Sequence, residues 1–160
     1  MDLAKENYEE AAAIAKAQKM YDVEYHARMA VGTMYRKVGA DAQASAFFAR
    51  SAEAAGAIAA TETDGVWDGM TRGDALINRL IAMDQTCSAL LASGQSDACR
   101  SMCEATLEYA IALETRGEWA ADNARGRLAV LLEMKSSSAV RLGQWREAET
   151  GYTASQISKL

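Results

Sequence analysis

Proline is absent from this 160-residue chain, where average usage of about 5% would supply roughly eight. A chain without proline has nothing to break a helix interior or stiffen a linker. It is therefore expected to fold as helices joined by very short turns, in one domain spanning residues 1–160. Histidine occurs once, at His26. A catalytic histidine needs an orienting carboxylate and a nucleophile, and neither is legible around it, so no enzyme is expected. The three cysteines are an odd number, which suits reduced intracellular thiols better than a disulfide framework. Basic charge is short as well. A formal net charge of −5 gives no general attraction to phosphate backbones, and no Lys/Arg run overrides it, so no nucleic-acid partner is expected.

Long apolar runs are missing too. No stretch approaches the roughly 18 apolar residues of a membrane span, and MDLAKENYEE lacks the basic stretch and apolar core of a signal peptide. A cytoplasmic protein without a membrane partner is the expectation. The last residues, Ser158-Lys159-Leu160, also spell a peroxisomal address. No strand-length run alternates β-branched with polar residues. Gly69 and Gly73 are not followed by the Lys-Ser/Thr of a phosphate loop, and no cofactor is implied.

What remains is helical periodicity over nearly the whole chain. Half the residues are hydrophobic while aromatics make up only 7%, so the core is expected to be built from small side chains that let helices approach closely. Helices are predicted over residues 2–19, 22–38, 41–60, 67–92, 96–116, 118–142 and 145–159. Gly39, Gly117 and Gly143 punctuate them, Asp41 and Ser96 serve as N-caps, and residues 61–65 form the clearest connector.

A repeat is visible within this pattern. Residues 28–51 carry Val31-Gly32, Tyr35, Gly39, Ala44, Phe48 and Ser51. Gly32 lets a second helix lie close, Ala44 marks the helix crossing, and Phe48 fills the gap to the next hairpin. Gly143, Trp145, Ala148, Tyr152 and Ser155 repeat the second half of this pattern. Ala98, Met102 and Ala105 keep its spacing, as do Ala11, Ala15 and Gln18 after Tyr8. Trp67 and Trp119 open two longer helices, each followed by an Arg-Gly pair (Arg72-Gly73 and Arg125-Gly126). This arrangement resembles the tetratricopeptide repeat (TPR) family. The resemblance implies an all-α, right-handed solenoid of antiparallel helix hairpins, with about seven helices in three pairs plus a leading helix. It departs from the family at Ser136 and Ala139, where a glycine and an aromatic are usual, and in lacking the helix-ending proline.

The resemblance also implies a function: a non-catalytic scaffold holding a peptide segment of a partner protein in a concave groove. Carried over position by position, the groove residues are His26, Met29, Thr33, Arg36, Met83, Cys87, Glu133, Ser137 and Arg141. Met29 and Thr33 stand where a carboxylate clamp needs Lys and Asn, which disfavours recognition of a chain terminus. Three alternatives stand beside this reading. One is a chaperone of the type III secretion class, which shares the size, acidity and helical repeats. Another is a metal- or redox-sensing domain using Cys87, Cys99 and Cys103, although structural zinc wants four ligands with a tight C-x2-C pair. The third is a homodimer formed through the terminal helices. The acidic pairs Glu9-Glu10, Glu62 with Asp64, and Glu147 with Glu149 read as solvated helix faces.

Overall fold

The computed structural model describes residues 2–60, 69–118 and 121–158. It is all-helical: α1 (Asp2–Ala17), α2 (Tyr21–Lys37), α3 (Asp41–Ala59), α4 (Arg72–Ala92), α5 (Ser96–Thr115), α6 (Ala121–Arg141) and α7 (Trp145–Ser158). No strand occurs among the described residues, and no described helix is long and apolar enough to cross a membrane. The chain divides into two compact units, Met1–Gln85 and Thr86–Leu160.

One turn recurs five times and sets the helix ends. Lys19, Gly39, Gly94, Gly117 and Gly143 all have φ between 58° and 78°, the left-handed region that only glycine enters freely. In each turn this residue's N–H reaches back three residues, as Gly39 does to Arg36 O at 3.0 Å, and the next N–H reaches back five, as Ala40 does to Tyr35 O at 2.9 Å. The twin bonds satisfy carbonyls that the helix end leaves open. The residue after the left-handed one then opens the following helix. Met20, Ala40, Gln95 and Gln144 accept from Glu24, Ala44, Cys99 and Ala148 respectively. Two residues thus end one helix and start the next, so neither expected cap residue takes that role. The N-caps are Ala40 and Gln95, neither of which caps its helix through a side-chain bond, because the turn leaves Asp41 and Ser96 already inside their helices.

The start of α4 differs from expectation. Gly69 has φ 120°, so the helix cannot run back through it. It begins instead at a capping box. The Thr71 hydroxyl accepts the Asp74 N–H at 3.1 Å, and the Asp74 carboxylate accepts the Thr71 N–H at 3.2 Å and its hydroxyl at 2.6 Å, which satisfies N-terminal donors reciprocally. Trp67, Trp119, Glu62, Asp64, Lys159 and Leu160 lie outside the described residues, as do the side chain of Arg125 and the burial of Gly126.

Cores are built largely of alanine, as expected. In the first unit Ala52, Ala54, Ala55 and Ile58 of α3 cluster with Tyr25, Met70, Ala75 and Ala82. At the α2–α3 crossing a Cβ on Gly32 would sit 2.6 Å from the Phe48 ring. Phe48 therefore packs on Gly32 within its own hairpin. On α1 the inward residues are Ala12 and Ala15, while Ala11 is half-buried and Gln18 exposed, so the spacing read from Ala11 does not mark the buried face.

Two stability predictions follow from these turns. An L-residue in the left-handed region costs roughly 1 kcal/mol against glycine. Lys19→Gly should raise the unfolding free energy by about 0.5–1 kcal/mol, and Gly39→Ala should lower it by about 1 kcal/mol, both read by urea titration. The Thr71 hydroxyl and backbone bonds hold the Asp74 carboxyl below its ordinary range, against a small opposing effect of burial. A depressed folded-state value means the cap's contribution is complete above about pH 4 and is lost as pH falls through that value. Asp74→Asn should flatten this acid limb of the stability profile, and an unchanged limb would remove Asp74 from it.

Candidate functional site

The first unit presents one face on which polar and soft side chains converge. Met29 of α2 and Met83 of α4 are half-buried and pack against the same cluster of Tyr25, Ala55, Ile58 and Ala82. On α2, one turn to either side of Met29, His26 and Thr33 are exposed. The His26 ring meets Tyr25 edge-on, with centroids 5.0 Å apart at 76°. The Thr33 hydroxyl donates to Met29 O at 2.8 Å, so its methyl and oxygen are held in place. Arg36 donates to Gln85 Oε1 at 3.0 Å, linking α2 to α4, and stands 3.7 Å from Asp41. Five of the nine expected groove residues therefore lie in this unit, with two methionines on a shared apolar floor.

The other four fall in the second unit and do not behave alike. Cys87 is fully buried and lines no surface. Glu133 accepts from the Ser155 hydroxyl at 3.1 Å, and the Ser137 hydroxyl lies 3.0 Å from that of Tyr152. Arg141 is exposed and donates to Leu91 O. It borders a cleft of about 520 Å³, formed with Gly94, Gln95, Ser96, Asp97, Ala98 and Leu142. Glu147 is no solvated acid: it faces Arg100 at 3.5 Å and Lys135 at 3.7 Å, and Lys135 also reaches Glu104 at 3.0 Å.

Cys87 is buried because of register. Counting from the left-handed glycine, Ser155 takes the place of Ser51, and the two make the same bond: Ser51 to Tyr25 O at 3.2 Å and Ser155 to Ala129 O at 3.0 Å. On that count from Gly94, the positions of Gly32, Ala44, Phe48 and Ser51 are filled by Cys87, Cys99, Cys103 and Thr106. All four are buried, whereas Ala98 and Ala105 are exposed. The expected set Ala98, Met102 and Ala105 is thus one residue out of register, and Cys87 moves with it from groove to core.

The three sulfurs meet there. Cys99 and Cys103 Sγ are 3.9 Å apart, Cys99 Sγ is 3.4 Å from Cys87 O, and Cys87 Sγ is 3.5 Å from the Thr106 hydroxyl. The Cys103 thiol lowers Cys99 to about 7, burial opposes this, and the Ser138 hydroxyl and Arg141 charge add to the lowering. Hydrogen bonds from Cys87 and Cys99, together with burial, push Cys103 up. Among the described residues no group of three or more His, Cys, Asp or Glu is arranged to hold a metal ion. No family model, curated protein or solved structure matches this chain.

The register is open to a direct check. Cys99→Leu should overpack the α5 crossing and cost about 1–3 kcal/mol, while Ala98→Leu should stay within about 0.5 kcal/mol of wild type. Equal costs in urea titration would contradict the assignment.

Proposed function

We propose that this chain is a non-catalytic protein-interaction module of tetratricopeptide type, and that it holds a peptide segment of a partner on the α2–α4 face of its first unit. The observation that carries this reading is the shared floor of Met29 and Met83 flanked by exposed His26 and Thr33. Thioether side chains adapt to different apolar partners. Polar groups one helical turn to either side give such a strip a direction along the helix, as peptide-binding helical faces require. Arg36 and Gln85 close one end with a hydrogen-bonded pair. The peptide suited to this face places an apolar residue over the methionines and offers hydrogen-bond acceptors to His26 and Arg36. Three unbridged cysteines suit a reducing compartment such as the cytoplasm.

The test is affinity capture with identification of bound proteins, followed by titration of the purified partner peptide. His26→Glu combined with Thr33→Glu changes two exposed positions and should leave helicity and melting temperature in place. It should weaken peptide binding at least tenfold. Undiminished binding by the folded double variant would overturn the assignment of this face.

A further inference from the structure

Helix α1 turns Ala12 and Ala15 inward and packs against α2. Its other side carries Leu3, Asn7, Glu10 and Ile14, all exposed. At about 100° per residue these four fall on one lengthwise stripe, facing away from Ala12 and Ala15. Their spacing of four, three and four residues is that of a coiled-coil seam. The ends of the stripe are apolar, with Leu3 71% and Ile14 49% exposed. Its centre is an amide and a carboxylate, and neither Asn7 nor Glu10 has a side-chain partner among the described residues. Ala4, Ala11 and Ala13 border the stripe, with Glu6 beside them. Side chains this small let a second helix approach closely.

The stripe complements itself when reversed. An antiparallel pairing that sets Leu3 against the second copy's Ile14 also sets Asn7 against the second copy's Glu10. Each contact then occurs twice about a two-fold axis, as an interface between identical chains requires. The Asn7 amide donates to the facing carboxylate, so both polar groups at the centre of the seam are satisfied. A parallel pairing in register would instead oppose Glu10 to its own copy, like charge against like. We propose that α1 is the contact face of a two-fold homodimer, in which two copies of this helix pair antiparallel along Leu3, Asn7, Glu10 and Ile14. A second copy of this chain is the occupant because the match holds residue by residue, polar centre included. A seam of one helix per copy falls below the roughly 1,200 Å² of lasting complexes, so the dimer is a weak one, forming at about 0.1–1 mM. This association does not rest on the peptide reading, which concerns α2 and α4.

The experiment is sedimentation equilibrium of the full-length chain over about 10 μM to 2 mM, a range that brackets the expected midpoint. The wild type should show a reversible monomer–dimer equilibrium. Ile14→Glu changes an exposed residue, so circular dichroism should stay as in the wild type while the dimer disappears at every concentration. Leu3→Glu should do the same, and serves in its place should the first variant lose helicity. Asn7→Lys reads the orientation. In the antiparallel seam it sets an ammonium against the second copy's Glu10 at two symmetric points, and should tighten the dimer roughly threefold or more. In a parallel seam it would oppose like charges and weaken the dimer. A wild-type chain that stays monomeric throughout, a dimer that survives Ile14→Glu and Leu3→Glu, or an Asn7→Lys dimer no tighter than the wild type would each overturn the proposal.

Discussion

The left-handed residue between helices is the constraint from which the rest of the structure follows. Its twin back-bonds end one helix, and the carbonyl of the next residue starts another. With so few residues outside helical geometry, successive helices have no freedom to choose an angle or a register. Which side chains face inward then becomes a matter of counting from that residue. This is why Ser51 and Ser155, far apart in sequence, donate to the carbonyls of Tyr25 and Ala129 in the same way.

The crossing positions show how different side chains satisfy one fixed space. In the α2–α3 pair, glycine at residue 32 makes room for the whole Phe48 ring. In α6–α7 the corresponding pair is Ser136 and Tyr152. With a hydroxyl already occupying the gap, and with a Cβ on Gly151 set to overlap it, the tyrosine turns outward and remains 40% exposed. At the α4–α5 crossing the space is shared by three sulfurs. In the leading pair, counted from Lys19, the inward places of Ala44 and Phe48 fall to Glu24 and Arg28. These form a buried ion pair at 2.7 Å. Close packing requires that volume gained on one helix be given up on the other.

Much of this was legible in the sequence. Helix type and order follow from periodicity and from Gly39, Gly94, Gly117 and Gly143, and the ends of α2, α3 and α7 come within a residue or two of expectation. The missing proline and abundant alanine foretold short turns and close cores. The start of α4 falls later than periodicity predicts because the expected span 67–92 runs through Gly69, whose φ of 120° no helix accepts, and the signal that does locate it is the capping box Thr71-x-x-Asp74. The middle hairpin departs from expectation for a different reason. Alanine at four-then-three spacing occurs on exposed and buried faces alike, and only the count from Gly94 tells Ala98 from Cys99. Of the groove residues, those on α2 were legible because that hairpin carries the full pattern. The burial of Cys87 and the pairing of Glu147 with Arg100 and Lys135 depend on register and on neighbouring helices, which local spacing does not encode.

The ion pair of Glu24 and Arg28 gives the leading helix a different standing from the others. Removing α1 from a hairpin held by apolar contacts would expose surface that water disfavours. Here it would also return two ions to water, recovering hydration that burial had withheld. Lys19 would relax from its left-handed conformation at the same time. The first hairpin thus holds two internal costs, a buried ion pair and a left-handed lysine, that its apolar contacts must offset.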